Sequence, residues 1–145
     1  MIGRRGAMPM PSASGRGADP MRMERDPEAV GPLIRGFSGR GFRVDDRIHH
    51  GAMVLTPESA VDWAPPGVDA LAIGDLEAVL ALSPLPEFVL LGTGPALKRP
   101  PVDLVLALEA RGIGLEPMDS RAAARAWGLL RAEGRWIAAA FYPLG

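Results

Sequence analysis

Glu87-Phe88-Val89-Leu90-Leu91-Gly92-Thr93-Gly94 is an apolar run of strand length that ends on a Gly-Thr-Gly turn, fenced by Pro86 and Pro95. A strand without polar alternation is ordinarily covered on both faces, which places residues 87 to 91 inside a layered α/β sheet. The turn after it lies at the strand's carboxyl end, the edge where open α/β sheets usually bind ligands. This segment therefore predicts the fold class and marks the first place to look for a site.

Working outward, Asp75 precedes Leu76, Val79, Leu80 and Leu82, a pattern that predicts an N-cap and a short amphipathic helix closed by Ser83-Pro84. On the other side, Pro100-Pro101 open a helix through Val102, Leu104, Val105, Leu106 and Leu108 that Gly112 stops. Its apolar residues run nearly all round, so burial is expected. Ile113-Gly114-Leu115-Glu116 reads as a short strand. Asp119 and Ser120 are cap candidates for a helix over 121 to 132, with Ala122, Ala123, Ala126, Trp127 and Leu130 inward. The last strand, Trp136 to Tyr142, is apolar on both faces, and its alanines allow a helix to pack close.

Nearer the start, Gly36, Gly39 and Gly41 suggest a loop around Phe37 and Ser38. Phe42-Arg43-Val44 and Arg47-Ile48-His49 then flank Asp45-Asp46 as a tight β-hairpin. The second arm is expected to run on through Met53-Val54-Leu55, with a bend at Gly51. Trp63 falls in a short edge segment before Pro65-Pro66-Gly67. Residues 1–26, rich in Gly, Pro, Ser, Met and Arg without periodicity, read as a disordered head on a single α/β domain at 27–145.

Composition sets further bounds. The chain has 145 residues, 48% of them hydrophobic, which suffices for a real core. A net charge of -1 argues against a general nucleic-acid or membrane-surface binder. The absence of cysteine removes disulfides, thiolate metal sites and cysteine nucleophiles. No apolar run reaches the length of a membrane span, so no membrane insertion and a cytoplasmic location are expected.

Four spaced blocks carry a family resemblance: Gly36-Phe37-Ser38-Gly39-Arg40-Gly41-Phe42-Arg43-Val44, Leu90-Leu91-Gly92-Thr93-Gly94, Gly112 through Ser120, and Glu133 through Ala140 with Pro143. Together they resemble the small α/β family of mostly unknown function that includes the mitochondrial respiratory complex I assembly factor 3 and the adipogenesis-associated domain protein. The resemblance implies a three-layer single domain with a mixed, roughly five-stranded central sheet and an added β-hairpin layer. It also implies a role in holding or assembling other proteins rather than a known reaction. Where similar proteins commonly carry tyrosine and asparagine midway along the last helix, this chain has Trp127 and Gly128, so no polar role transfers there.

Two sets of site residues follow. Gly92, Thr93 and Gly94 could cradle an anion on backbone N–H groups, with Asp119 and Ser120 beside them if the two strands are parallel neighbours. The competing reading is a tight strand exit and an ordinary helix cap: Leu97 stands where a third glycine would be, and prolines delay the next helix. Phe37, Arg40, Trp63, Arg121 and Arg125 are the candidate protein-contact residues. His49 and His50 alternate to opposite faces and cannot chelate one metal. No nucleophile sits in an elbow, and no base is paired with one, so catalysis is disfavoured and no cofactor or metal is expected. The expected partner is a protein of unknown identity, a homo-oligomer being compatible; the alternative is a small anion or metabolite at the glycine turn.

Overall fold

The computed structural model describes residues 31–145; the head drawn at 1–26 lies outside them. In chain order the described strands begin with β1 (Ile34–Ser38), β2 (Gly41–Val44) and β3 (Arg47–His49). β4 (Met53–Leu55) and β5 (Ala60–Asp62) follow, then two 3-10 turns and α1 (Glu77–Leu80). The chain continues through β6 (Phe88–Gly92), α2 (Val102–Glu109), β7 (Gly114–Met118), α3 (Ser120–Ala132) and β8 (Ala138–Phe141).

The two runs that lack alternation lie side by side. β6 and β8 pair in parallel, with Val89 opposite Ala138 and Gly92 opposite Phe141. β7 joins β6 in parallel, and β4 joins β8 antiparallel with β5 at the edge, so the mixed sheet runs β5-β4-β8-β6-β7. Alternate side chains then feed two separate cores. Met53, Leu55, Leu90, Ala139 and Phe141 face α3 and a second sheet, where Trp127 and Phe42 are buried. Val54, Val89, Leu91, Ala138 and Ala140 face α1 and α2 with Leu76, Val79, Leu104 and Leu108. The result is three layers around a mixed sheet, the architecture the resemblance implies.

Several sequence expectations need correction. Residues 34–38 form a strand rather than a loop. β1 pairs antiparallel with β2, with a register irregularity between Ile34 and Gly36, so the added layer is the three-stranded sheet β1-β2-β3. The hairpin turn at Asp45-Asp46 is present, with Asp45 in the left-handed region at φ 52. Its second arm, however, ends at His49. Met53, Val54 and Leu55 are each buried, a pattern that suits an interior strand, and the chain crosses to the other sheet after the bend at Gly51. Asp75 does not precede its helix. It sits inside the 3-10 turn Ile73–Leu76 and its Oδ2 accepts from the Ala72 N–H at 2.9 Å.

α2 is buried only on one side. Leu104 and Leu108 are covered, while Val102 and Leu106 are 69% and 56% exposed. The helix lies over the edge formed by β7, so nothing among the described residues covers its outer face. On α3 the buried stripe is Ala123, Ala124, Trp127 and Arg131, one position round from the expected one, with Ala122, Ala126 and Leu130 half-buried. Among the described residues no helix is long and apolar enough to cross a membrane.

Candidate functional site

Because β6 and β7 run parallel, the turns at their carboxyl ends meet. Gly92, Thr93, Gly94, Asp119 and Ser120 therefore lie together, and the hydrogen bonds show how their polar groups are used. The Thr93 N–H donates to the Met118 carbonyl at 2.8 Å, and the Ser120 N–H donates to the Gly94 carbonyl at 2.8 Å. The Gly94 N–H donates to Ser120 Oγ at 2.8 Å, and that hydroxyl donates to the Tyr142 carbonyl at 2.8 Å. Thr93 Oγ1 donates toward the Ala96 carbonyl and accepts from the Lys98 N–H at 3.0 Å. Asp119 Oδ1 accepts from the Ala122 N–H at 2.9 Å, an N-cap on α3.

Thr93 and Ser120 are buried. The glycine before them is required by close approach: a Cβ on Gly92 would stand 2.9 Å from Ser120 Oγ and 3.0 Å from both the Ser120 Cα and Phe141 Cδ1. These groups stitch β6, β7, α3 and the end of β8 to one another. A buried polar group left unpaired is costly, and here the backbone and hydroxyl partners are found inside the protein.

Tyr142 continues the same network. Its N–H donates to the Gly92 carbonyl at 2.8 Å, and its hydroxyl donates to the Pro66 carbonyl at 2.7 Å. Its ring meets Trp63 edge to face, 5.3 Å between centroids. Trp63 is accordingly half-buried, its indole N–H donating to the Asp75 carbonyl at 2.7 Å. It packs against the second core and is only partly exposed.

Burial pushes the Tyr142 phenol up to about 12, with Asp75 and Asp69 adding to the effect. Since this is the chain's single tyrosine, phenolate absorbance reads it alone. The folded protein is expected to titrate near pH 12 and the urea-unfolded chain near the ordinary value of about 10. The folded state then holds the proton more tightly. Stability should be intact below about pH 10 and fall as the pH climbs toward 12, a decline that Tyr142→Phe removes. Coincident folded and unfolded titration curves would contradict this.

The remaining candidates lie on the opposite layer. Phe37 is 41% exposed, and the Arg121 guanidinium stands 4.6 Å from its ring centroid. Arg125, one helical turn on, is exposed, and beside it runs a groove of about 510 Å³ between β1 and α3. Phe37, Ala124, Arg125, Gly128 and Leu129 line it, and Leu129 is 69% exposed. Arg40 lies in the β1–β2 turn, where its carbonyl accepts from the Leu144 N–H at 2.8 Å and ties down the chain end. Trp127 belongs to the core, and Gly128 leaves open space where a Cβ would stand. Of the other arginines, Arg135 pairs with Glu87 at 2.8 Å and holds that exposed carboxyl below its usual range.

One residue of chemical interest escaped sequence reasoning. His50 is exposed and lies just past the end of β3, but His49 is buried, and its Nδ1 lies 2.8 Å from Asp62 Oδ1. The two residues belong to different sheets, β3 and β5, and no local spacing signals such a pair. Among the described residues no cluster of three or more His, Cys, Asp or Glu could hold a metal ion.

The fold and its internally stitched strand end thus define a small three-layer α/β domain with an exposed groove on its added-sheet side. The chain belongs to the family of proteins of unknown function DUF498/DUF598, which matches residues 34–142. It is similar to an uncharacterized protein of Rhodobacter capsulatus, 35% identical over 121 residues, spanning 83% of this chain and 92% of that one. It is also similar to the NADH dehydrogenase [ubiquinone] 1 alpha subcomplex assembly factor 3 of Danio rerio, 28% identical over 79% of this chain. The matched part spans 66% of the Danio rerio factor's own length and 60% of its human counterpart's. In structure it resembles a Mth938-like domain protein of Bordetella pertussis at a TM-score of 0.71, with 23% identity over 86% of this chain and 94% of that one. That last similarity concerns the fold.

Proposed function

We propose that this domain is a non-catalytic, assembly-factor-like module that holds a partner protein in the groove between β1 and α3. The observation that carries the reading is the groove itself: an apolar floor with Phe37 and Leu129 exposed, a rim carrying Arg125 and Arg35 (the latter 3.8 Å from Asp45), Arg121 stacked on Phe37 beside it, and no acidic residue among its lining. Such a surface suits an acidic segment with apolar anchors, since the arginines steer the charge and the exposed rings and leucine supply area. The relation to assembly factor 3 supports a client among the subunits of a membrane or respiratory complex. The glycine turn at Gly92–Gly94, with its donors already engaged, is not needed for this role.

The test is site-specific photo-crosslinking from position 129 in extract of the native cell, followed by mapping of the joined peptide. One dominant adduct on an acidic, apolar-anchored segment is expected, and Arg125→Glu should remove it by charge repulsion. Self-crosslinking, an unselective smear, or an adduct indifferent to Arg125→Glu would each overturn the reading.

A further inference from the structure

A second and larger cavity lies on the same side of the molecule. It measures about 900 Å³ and is an open hollow bounded by the added sheet, the β4–β5 turn and the last turns of α3. Its size falls in the range of about 300–1,000 Å³ that small-molecule sites occupy, and such sites are apolar with a few converging polar groups. Leu33, Ile34, Val44 and Ala60 contribute apolar wall, and the charged side chains that line it are exposed ones.

The exception is His49, which lines the cavity while only 3% exposed. Asp62 is a carboxylate and can only accept, so the 2.8 Å contact puts a proton on His49 Nδ1. In the neutral imidazole the Nε2 atom is then left as an acceptor, and it has no partner among the described residues. A buried acceptor of this kind is unsatisfied until something donates to it.

We propose that this cavity is a binding site for a small, largely apolar molecule carrying one O–H or N–H donor, with His49 Nε2 accepting that hydrogen. Asp62 is a positioning residue: it holds the tautomer and orients the ring. The cavity adjoins the protein-binding groove, sharing Ile34, Arg35 and Gly128 with it, but the proposal rests on His49 and does not depend on that reading.

Matched probes test it on the full chain: phenol against anisole, and indole against N-methylindole, each followed by NMR of the His49 ring and the Ala60 amide. Phenol and indole are expected to give saturable shifts at both positions, and the methylated partners to bind about tenfold more weakly. His49→Phe should abolish the preference while leaving weak apolar binding. Should that variant fail to fold, Asp62→Ala serves, because Asp62 is 81% exposed and its loss frees the tautomer, so the preference should shrink. Equal affinity within the pairs, shifts confined to the Ala124–Leu129 groove, or no saturable shift with any probe would overturn the proposal.

Discussion

Trp127→Ala is expected to cost about 3–5 kcal/mol of folding stability, a large share of what a domain of this size possesses. Trp127 is the largest fully buried side chain, and it packs with Phe42, Leu90 and Phe141 in the core between α3 and the two sheets. Alanine would leave a cavity there, because β6 and β8 are held from behind by the second core and cannot collapse forward. A hydrogen bond goes as well. The indole N–H donates to the Pro32 carbonyl at 2.9 Å, and Pro32 is itself buried at the entry to β1. Loss of this anchor should loosen β1 and so blunt the groove at Phe37. Urea denaturation followed by circular dichroism reads the effect. Trp127→Phe retains much of the packing and separates the hydrogen bond, expected at about 1–3 kcal/mol. An unchanged urea midpoint for the alanine variant would mean that this core does not exist as described.

Gly41→Ala is expected to destabilise by about 3 kcal/mol, at the upper end for overpacking. Its Cβ would stand 2.2 Å from the His49 carbonyl oxygen, 2.8 Å from the His50 Cα and 3.1 Å from the His49 carbonyl carbon. All three are backbone atoms, so no side chain can swing aside; β2 and β3 must part. The displacement falls on His49 and should pull Nδ1 away from Asp62. Faster amide exchange across β1, β2 and β3, with β6 and β8 little changed, is the expected signature, since the added sheet is the separable layer. Uniform loss of protection across both sheets, or a midpoint equal to the parent's, would show the constraint to be misplaced. The first outcome would tie the added sheet cooperatively to the rest; the second would mean the backbone yields at no cost.

Where local pattern is decisive, the chain could be read directly. Val89-Leu90-Leu91 and Ala138-Ala139-Ala140 lack alternation because both their faces are covered, and they are indeed neighbours within one sheet. Asp119 before the last helix caps it, since a carboxylate there satisfies an N–H that the helix cannot. The Asp45-Asp46 turn was legible for a similar local reason: tight hairpins need a residue that tolerates positive φ. Gly36 and Gly39, by contrast, hid β1: its burial alternates, but Gly36 and Ser38 fall on the covered face and Phe37 on the exposed one, so no apolar alternation marks it in sequence.

Composition and periodicity by themselves determined the layered α/β class, the order of the later strands and helices, and the place of the Gly92 turn at a strand end, because burial on two faces and helix capping are written in neighbouring residues. Tertiary structure alone decided that β4 leaves the hairpin for the main sheet, that α2 stays half-exposed, that Thr93 and Ser120 spend their hydrogen bonds inward, and that His49 meets Asp62. Each of these depends on which distant segment supplies the partner atom, and that distance in sequence leaves no local trace.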